Sequence, residues 1–289
     1  MKQIKAWLIA SRPKTLIASI SPVLIGSTLA LDRGLFDGWI FFFTLITALG
    51  IQIATNFCND YWDFLKGADT SERKGPVRVT QAAILSLSAV KKATSFMFLI
   101  TALAGSFLVW KGGVFVAVLL VISLLLSYLY TAGPFPLAYV GLGEIFVLIF
   151  FGPIAVGGTF FLQTTELSLS AFLAGISPGA LSAAILMVNN LRDVDEDRKA
   201  SKKTLVVRGG ALLGKSLYVL FILAAFFSPL LLISDHPWLV LLMPLFLFAI
   251  PTLYKVCRNK NNADFNAFLP KTAQLLLIYT LCFCFLYVL

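Results

Sequence analysis

The chain reads as an all-α polytopic membrane protein: one integral-membrane domain over residues 1–289, with nine transmembrane helices. Three observations predict this. Mean hydropathy is +0.90 and 59% of residues are hydrophobic, against about half in soluble domains. Nine apolar stretches lie near the ~20 residues needed to cross a bilayer. Charge is also segregated between the loops. With a cytoplasmic N-terminus, all of the 23 Lys and Arg residues except Arg33 and Lys111 fall on that side. So do all of the 14 acidic residues except Asp32, Asp37, Glu166 and Asp235. This is the positive-inside pattern, and it requires an odd number of crossings. The net charge of +9 is thus a topology signal and gives no reason to expect nucleic acid as a partner.

The segment Lys2–Pro13 carries charge but no apolar core ending in a small-residue cleavage site, so a cleavable leader is not expected. Arg12 and Lys14 stand at the cytoplasmic mouth of the first span, Thr15–Leu31. Pro13 suits a first helical turn. The Arg12 fork fits a phosphate or a carboxylate equally well. The second span, Gly38–Cys58, runs into Asn56, Asn59, Asp60, Asp63 and Asp69, followed by Lys66, Arg73, Lys74 and Arg78. The loop beyond contains Gly67, Gly75 and Pro76, and Thr80–Ala93 reads as a short interfacial helix. Spans follow at Ala93–Trp110 and Val114–Tyr130. A Pro- and Gly-rich turn comes next, carrying Tyr128, Tyr130 and Tyr139.

Glu144 opens the fifth span, Gly143–Leu162, where it could support the site from behind, though a carboxylate also suits the helix dipole. Ala171–Leu191 leads into the second polar cluster. Leu217–Ile233, Trp238–Leu253 and Thr272–Leu289 complete the set. All five Trp residues sit near span ends, as an interfacial belt requires. Cys58, Cys257, Cys282 and Cys284 have no metal-ligand spacing, and His236 is the only histidine. A zinc site, a disulfide framework and His-based catalysis are therefore not expected.

The two polar clusters are repeats of one device. Asn59-Asp60-x-x-Asp63 aligns with Asn189-Asn190-x-x-Asp193, and each closes an apolar span. Asn56 with Asp60, Asn59 with Asp63, and Asn189 with Asp193 and Asp197 share helix faces at i, i+4 spacing. Lys202, Lys203 and Arg208 mirror the first basic tail. Either cluster alone also fits a solvated cytoplasmic loop. Two matching clusters at span ends point instead to a site, because carboxylates there need compensation. Grouped oxygen donors suit a hard cation such as Mg²⁺, and the trailing cations suit phosphate oxygens.

These residues resemble the UbiA superfamily of intramembrane prenyltransferases. Asn59-x-x-x-Asp63 and Asp193-x-x-x-Asp197 look like its two Asp-rich motifs, within residues 56–78 and 189–208. Gly67 departs from the general pattern, standing at the third acidic place with Asp69 two residues later. That departure resembles the branch acting on 1,4-dihydroxy-2-naphthoate, as do Asn59 through Arg78, Arg12-Pro13-Lys14-Thr15-Leu16, Gly133-Pro134-x-Pro136-Leu137 and Asn189-Asn190-x-Arg192-Asp193.

The resemblance implies a nine-helix bundle with two pseudo-repeats in a bacterial inner membrane, with the active site cytoplasmic. It implies Mg²⁺-dependent transfer of a polyprenyl group from its diphosphate to dihydroxynaphthoate in menaquinone biosynthesis. The ligands would be Asn59, Asp63, Asp193 and Asp197, with Asn56, Asp60, Asp69 and Asn189 as further candidates. Lys66, Arg73, Arg78 and Lys203 would contact diphosphate, Arg12 the acceptor carboxylate, and Tyr130 the cation or acceptor. No obligate protein partner is implied. Another aromatic acceptor, such as 4-hydroxybenzoate, is the nearest alternative. A CDP-alcohol phosphotransferase lacks its motif here, and an ion-coupled transporter would carry its ionisable residues near mid-membrane.

Overall fold

The computed structural model describes residues 2–69 and 74–289. Within them every regular element is helical. Helix α1 (Lys2–Ser11) meets α2 (Pro13–Asp32) at Arg12, whose backbone is left-handed (φ 52°, ψ 65°). Pro13 starts α2 with its φ already set and no N–H to satisfy. Helix α3 (Gly38–Leu65) is capped by the Asp37 carboxylate, which accepts from the N–H groups of Trp39 and Ile40. Ser86 caps α4 (Leu87–Leu129) through the N–H of Ala89.

Helix α4 settles the number of crossings. Straight, its 43 residues would run about 65 Å, twice a bilayer core. Gly113 takes φ 65° and ψ −155°, a conformation closed to most L-residues, and the helix folds back there. A Cβ on Gly105 would lie 2.6 Å from the Leu120 side chain, whereas a straight helix would hold the two about 22 Å apart. The arms 87–112 and 113–129 are therefore separate crossings. The 8 long apolar helices among the described residues make nine passes.

Helix α5 (Gly143–Ile149), a π-turn (Phe150–Ile154) and α6 (Ala155–Thr164) form one crossing; α7 (Leu169–Ala174) and α8 (Ile176–Arg192) form the next. A surface turn, α9 (Val194–Lys199), precedes α10 (Leu205–Phe227). The chain ends with α11 (Phe246–Arg258) and α12 (Phe268–Tyr287). Helix α8 is the axis of the bundle: 78% of its crossing is buried, against 11% for α4. The largest core cluster joins α2, α6, α8, α10 and α12 around Ile25, Phe160, Met187, Tyr218 and Tyr279. The α5–α6 joint presses closely onto α8, where a Cβ on Gly179 would lie 2.2 Å from the Leu148 carbonyl oxygen.

Two sequence expectations are corrected. The segment Thr80–Ala93 is not a separate interfacial helix. Residues 79–83 are turns, Thr80 is buried with its hydroxyl donating to the Asp60 carbonyl at 2.8 Å, and the span itself begins at Leu87. Helix α10 starts at Leu205, well before Leu217, because its polar residues find partners at the bundle end. Arg208 donates to the Val140 carbonyl and Lys215 to those of Cys257 and Asn259. Gly210 (φ 76°) breaks that helix between its surface turns and its crossing.

The two ends of the bundle differ in charge. At one, Arg33 pairs with Glu166 at 3.1 Å and Asp37 is held by Gln163. The Asn/Asp motifs gather at the other. There the segment after α3 docks on the second motif. The Lys74 Nζ lies 2.8 Å from Asp195, the Lys74 N–H donates to Glu196 at 2.7 Å, and Asn266 donates to the Lys74 carbonyl at 2.7 Å.

Two outcomes follow from this architecture. Gly113→Val should lower the melting temperature in detergent, since a non-Gly residue at that backbone costs on the order of 1–3 kcal/mol. An unchanged melting temperature would mean the fold-back does not need glycine. Lys74→Met should speed proteinase K cleavage of the segment after α3, and high salt should speed it in the wild type, because exposed pairs are screened. Equal cleavage of mutant and wild type under both conditions would remove Lys74 as a tether.

Candidate functional site

The C-terminal turns of α3 carry Asn56, Asn59, Asp60 and Asp63, and each side chain is engaged. The Asn56 amide donates to the Ser11 carbonyl at 2.9 Å, tying α3 to the α1–α2 joint. Asp60, 1% exposed, accepts from Arg12 and, at 2.5 Å, from Arg78. Asn59 accepts from the Thr131 hydroxyl. Asp63 accepts from the Tyr139 hydroxyl at 2.9 Å and lies 3.2 Å from the Lys202 Nζ.

Gly67 (φ 69°) then ends the helix. The N–H of Ala68 reaches the Asp63 carbonyl and that of Gly67 reaches Phe64. This is a Schellman cap whose left-handed position favours glycine. The missing third acid therefore has a backbone reason.

The second motif is built the same way, one turn longer. Helix α8 bends slightly at Asp193, but the N–H of Asp193 still reaches the Asn189 carbonyl and that of Asp197 the Asp193 carbonyl. Asn189, Asp193 and Asp197 thus keep a common face. Arg192 grips both oxygens of Asp193, at 2.6 and 2.7 Å, and donates to Asn266 at 3.2 Å. A second Schellman cap closes α9. Ser201 is left-handed (φ 58°), and the Lys202 N–H reaches the Asp197 carbonyl at 2.8 Å. That cap turns Lys202 back into the site, where its Nζ lies 3.2 Å from Asp63 and 3.7 Å from Asp197. Burial alone would lower the Lys202 pKa, but the two carboxylates outweigh it and hold the ammonium charged.

Behind these groups lies a cavity of about 760 Å³. Arg12, Asn56, Asn59, Asp60, Asp63, Arg78, Tyr130, Asn189, Asp193, Asp197 and Lys202 line its mouth. Its depth is walled by apolar groups, among them Ile51, Leu120, Phe146, Phe150 and Ile154. Leu108, Val116 and Leu162 lie at the far end, with Ile40 behind them. The cavity therefore joins a polar mouth to a greasy interior between α2, α3, α4, α5, α6 and α8.

The other expected residues are distributed as follows. Arg78 is a hub, with Nη1 on Asp60, Nη2 4.0 Å from Asp63 and Nε 3.6 Å from Asp69. Asp69 is buried beside it, off the cavity wall. Lys66 turns away, donating to the Thr131 carbonyl at 2.6 Å with its Nζ over the Tyr139 ring. Burial lowers its pKa against the pull of Asp63. Lys203 is exposed and off the cavity; its neighbour Lys202 takes the inward position. Arg73 lies outside the described residues.

The sequence offered Lys202 only as part of the second basic tail and Tyr139 only as a turn residue, and gave no sign of Thr131. The Tyr139 hydroxyl donates to Asp63 while the Lys66 and Lys202 ammonium groups lie over its ring, and burial first, then Asp63, pushes its hydroxyl pKa up. Its place in the Pro- and Gly-rich turn was the available signal. Nothing in the spacing distinguishes Lys202 from Lys203, because the left-handed cap between them and α9 uses serine.

Among the described residues, no three His, Cys, Asp or Glu side chains stand close enough to hold an ion as they are. The donor chemistry nevertheless fits a hard divalent cation. Amide and carboxylate oxygens from two helix ends face one mouth. The Lys202 ammonium already stands between two of them, marking where positive charge is required.

Comparison with known proteins agrees with this architecture. The model of the UbiA prenyltransferase family matches residues 19–287. A 1,4-dihydroxy-2-naphthoate octaprenyltransferase of Haemophilus influenzae is 39% identical over 223 residues, covering 74% of this chain and 72% of its own. The enzyme so named in Escherichia coli is 35% identical over 269 residues, covering 89% and 85%. Among solved structures, a UbiA homologue from Aeropyrum pernix superposes with a TM-score of 0.67 at 16% identity, over 92% of this chain and 98% of that one. One from Archaeoglobus fulgidus bound to DMAPP and Mg²⁺ gives 0.64 at 12%, over 96% and 98%. The helical bundle, the paired polar motifs and the match over almost the whole chain lead to one assignment: this protein belongs to the UbiA prenyltransferase family.

Proposed function

We propose that this protein transfers a polyprenyl group from polyprenyl diphosphate to 1,4-dihydroxy-2-naphthoate, releasing diphosphate and CO₂ and forming demethylmenaquinol. The observation that carries the reading is the cavity itself, with two Asp-rich helix ends at its mouth and an apolar interior behind them. The names of relatives 33–39% identical support the acceptor.

Asn59, Asp63, Asp193 and Asp197 would hold Mg²⁺, which when bound neutralises charge on the departing diphosphate. Asn189 lines the same mouth. Asn56, Asp60 and Asp69 serve the site by holding Ser11, Arg12 and Arg78 in place. Arg78 and Lys202 offer positive charge to the diphosphate oxygens; Arg73, Lys66 and Lys203 stay as outer candidates for that contact.

The allylic C–O bond breaks with its electron pair leaving on diphosphate. The ring carbon bearing the carboxylate then bonds to the prenyl carbon, and loss of CO₂ restores aromaticity. Arg12 shares one guanidinium nitrogen between Asp60 and the Asn56 carbonyl, and its remaining N–H groups would take the acceptor carboxylate. Tyr130 lines the wall and would stabilise developing positive charge with its ring. A buried, apolar interior keeps water from the cation.

The test is prenyl transfer by purified protein to carboxyl-labelled dihydroxynaphthoate and to 4-hydroxybenzoate. Label should be released in step with transfer, and Asp63→Asn should abolish both. Lys202→Met should weaken diphosphate use by about 1.5–3 kcal/mol, and Lys203→Met should do so far less. Faster prenylation of 4-hydroxybenzoate with no CO₂ would overturn the acceptor.

We further propose that the site faces the cytoplasm, on the loop-charge asymmetry, and that the membrane is a bacterial inner membrane, as the family resemblance implies. In intact cells, with Cys257 replaced, Thr165→Cys should react with an impermeant thiol reagent and Ala200→Cys should not. The reverse pattern would invert the orientation.

A further inference from the structure

One carboxylate on the cavity wall has no part in the chemistry above. Glu144, in the first turn of α5, is 1% exposed. Among the described residues no Lys or Arg forms an ion pair with it. Its side-chain partner is the Asn190 amide, which donates to its Oε1 at 2.7 Å. A buried carboxylate met only by a side-chain amide and its own backbone N–H, with no cation, leaves room for a further donor. Glu144, Asn190 and Tyr130 line the same cavity. Tyr130 closes the group from the α4 side, since a Cβ on Gly143 would lie 3.2 Å from its hydroxyl.

The level of this group in the membrane is informative. Asn190 precedes Asp193 by three residues on α8, so it stands about 4.5 Å deeper along the axis and on a neighbouring face. A prenyl diphosphate held at Asp193 and Asp197 with its chain in the apolar interior would bring its reacting carbon down to that depth. The other carboxylates at the mouth are engaged with Arg12, Arg78, Lys202, Tyr139 and Arg192.

We propose that Glu144, oriented by Asn190, accepts a hydrogen bond from the acceptor hydroxyl next to the reacting ring carbon. This rests on the prenyl-transfer reading above. The contact seats the ring beside the allylic carbon, with the adjacent carboxylate on Arg12. It also leaves the hydroxyl oxygen richer in electrons, and that density feeds the neighbouring carbon. There the ring's electron pair forms the new C–C bond while the C–O pair departs with diphosphate. The hydroxyl proton stays in the bond to Glu144 throughout, and decarboxylation returns an electron pair to the ring. Glu144 thereby selects phenolic acceptors and sets which carbon reacts.

The experiment uses the full-length protein in vesicles, with Glu144→Gln, Glu144→Asp and Asn190→Ala, and with the phenolic acceptor that the wild type accepts. Glu144→Gln should lower kcat/KM for the acceptor about tenfold or more, the loss of one charge-assisted contact. The KM for polyprenyl diphosphate and its thermal protection of the protein should stay unchanged, showing that the fold is intact. Glu144→Asp should recover part of the loss, and Asn190→Ala should show a smaller loss of the same kind. The methyl ether of the hydroxyl in question should be as poor for the wild type as the parent acceptor is for Glu144→Gln, with no further loss when the two are combined.

Additive losses, or an equal fall for both substrates, would overturn the assignment and leave Glu144 a structural residue. If the wild type prenylates dihydroxynaphthoate and Glu144→Gln does so equally well, Glu144 has no acceptor role while the prenyl-transfer reading stands. If the wild type prenylates no phenol at all, it is that reading that falls, and this inference falls with it.

Discussion

Negative charge gathered at the mouth of a membrane cavity has to be compensated within the protein, and much of the site's construction follows from that requirement. Asp60, Asp63 and Asp197 are each less than a tenth exposed. Left unpaired in such surroundings, each would be far more costly than in water. Arg78 answers Asp60, Asp63 and Asp69 together, and Lys202 answers Asp63 and Asp197. Arg192 holds Asp193. The two helix ends are thus joined through cations supplied by the loops that follow them, before any substrate arrives.

That electrostatic arrangement depends on how each helix stops. Both motifs close in a Schellman cap, and in both the carbonyl accepting the 6→1 bond belongs to an aspartate that faces the mouth, Asp63 or Asp197. The cap turns the chain sharply, so the next residues can come back over the helix end. In the first motif this allows Arg78 and Thr80 to return to Asp60. In the second it brings Lys202 inward and leaves Lys203 outside.

The bundle is packed unevenly around this site. The helices of its second half, with α2 and α6, form the dense cluster around α8. The folded-back α4, largely lipid-facing, closes the cavity from the other side. Close contacts such as Gly179 against Leu148 keep the α5–α8 wall tight, and that wall carries Glu144 and Asn190. One side of the cavity is therefore a firm surface suited to holding a flat ring. The long apolar interior suits a flexible hydrocarbon, for which volume matters more than shape.

The amino-acid sequence alone determined the membrane class, the nine crossings, the charge asymmetry of the loops and the two Asn/Asp motifs. Each of these rests on composition or on i, i+4 spacing, which local geometry sets and a reader can count. Arg78 and Asp63 were legible for the same reason. What only the tertiary structure decided were matters of direction across sequence distance. Lys202 rather than Lys203 enters the site because a left-handed Ser201 turns the chain, and serine gives no sign of that. Arg12 spends part of its guanidinium on Asp60, and Lys66 is drawn to the Thr131 carbonyl, through contacts 48 and 65 residues apart. In the sequence Glu144 was a helix-opening acid and at most a supporting group behind the site. Its pairing with Asn190, 46 residues away, exists because α5 is pressed onto α8, a fact of packing that no local pattern encodes.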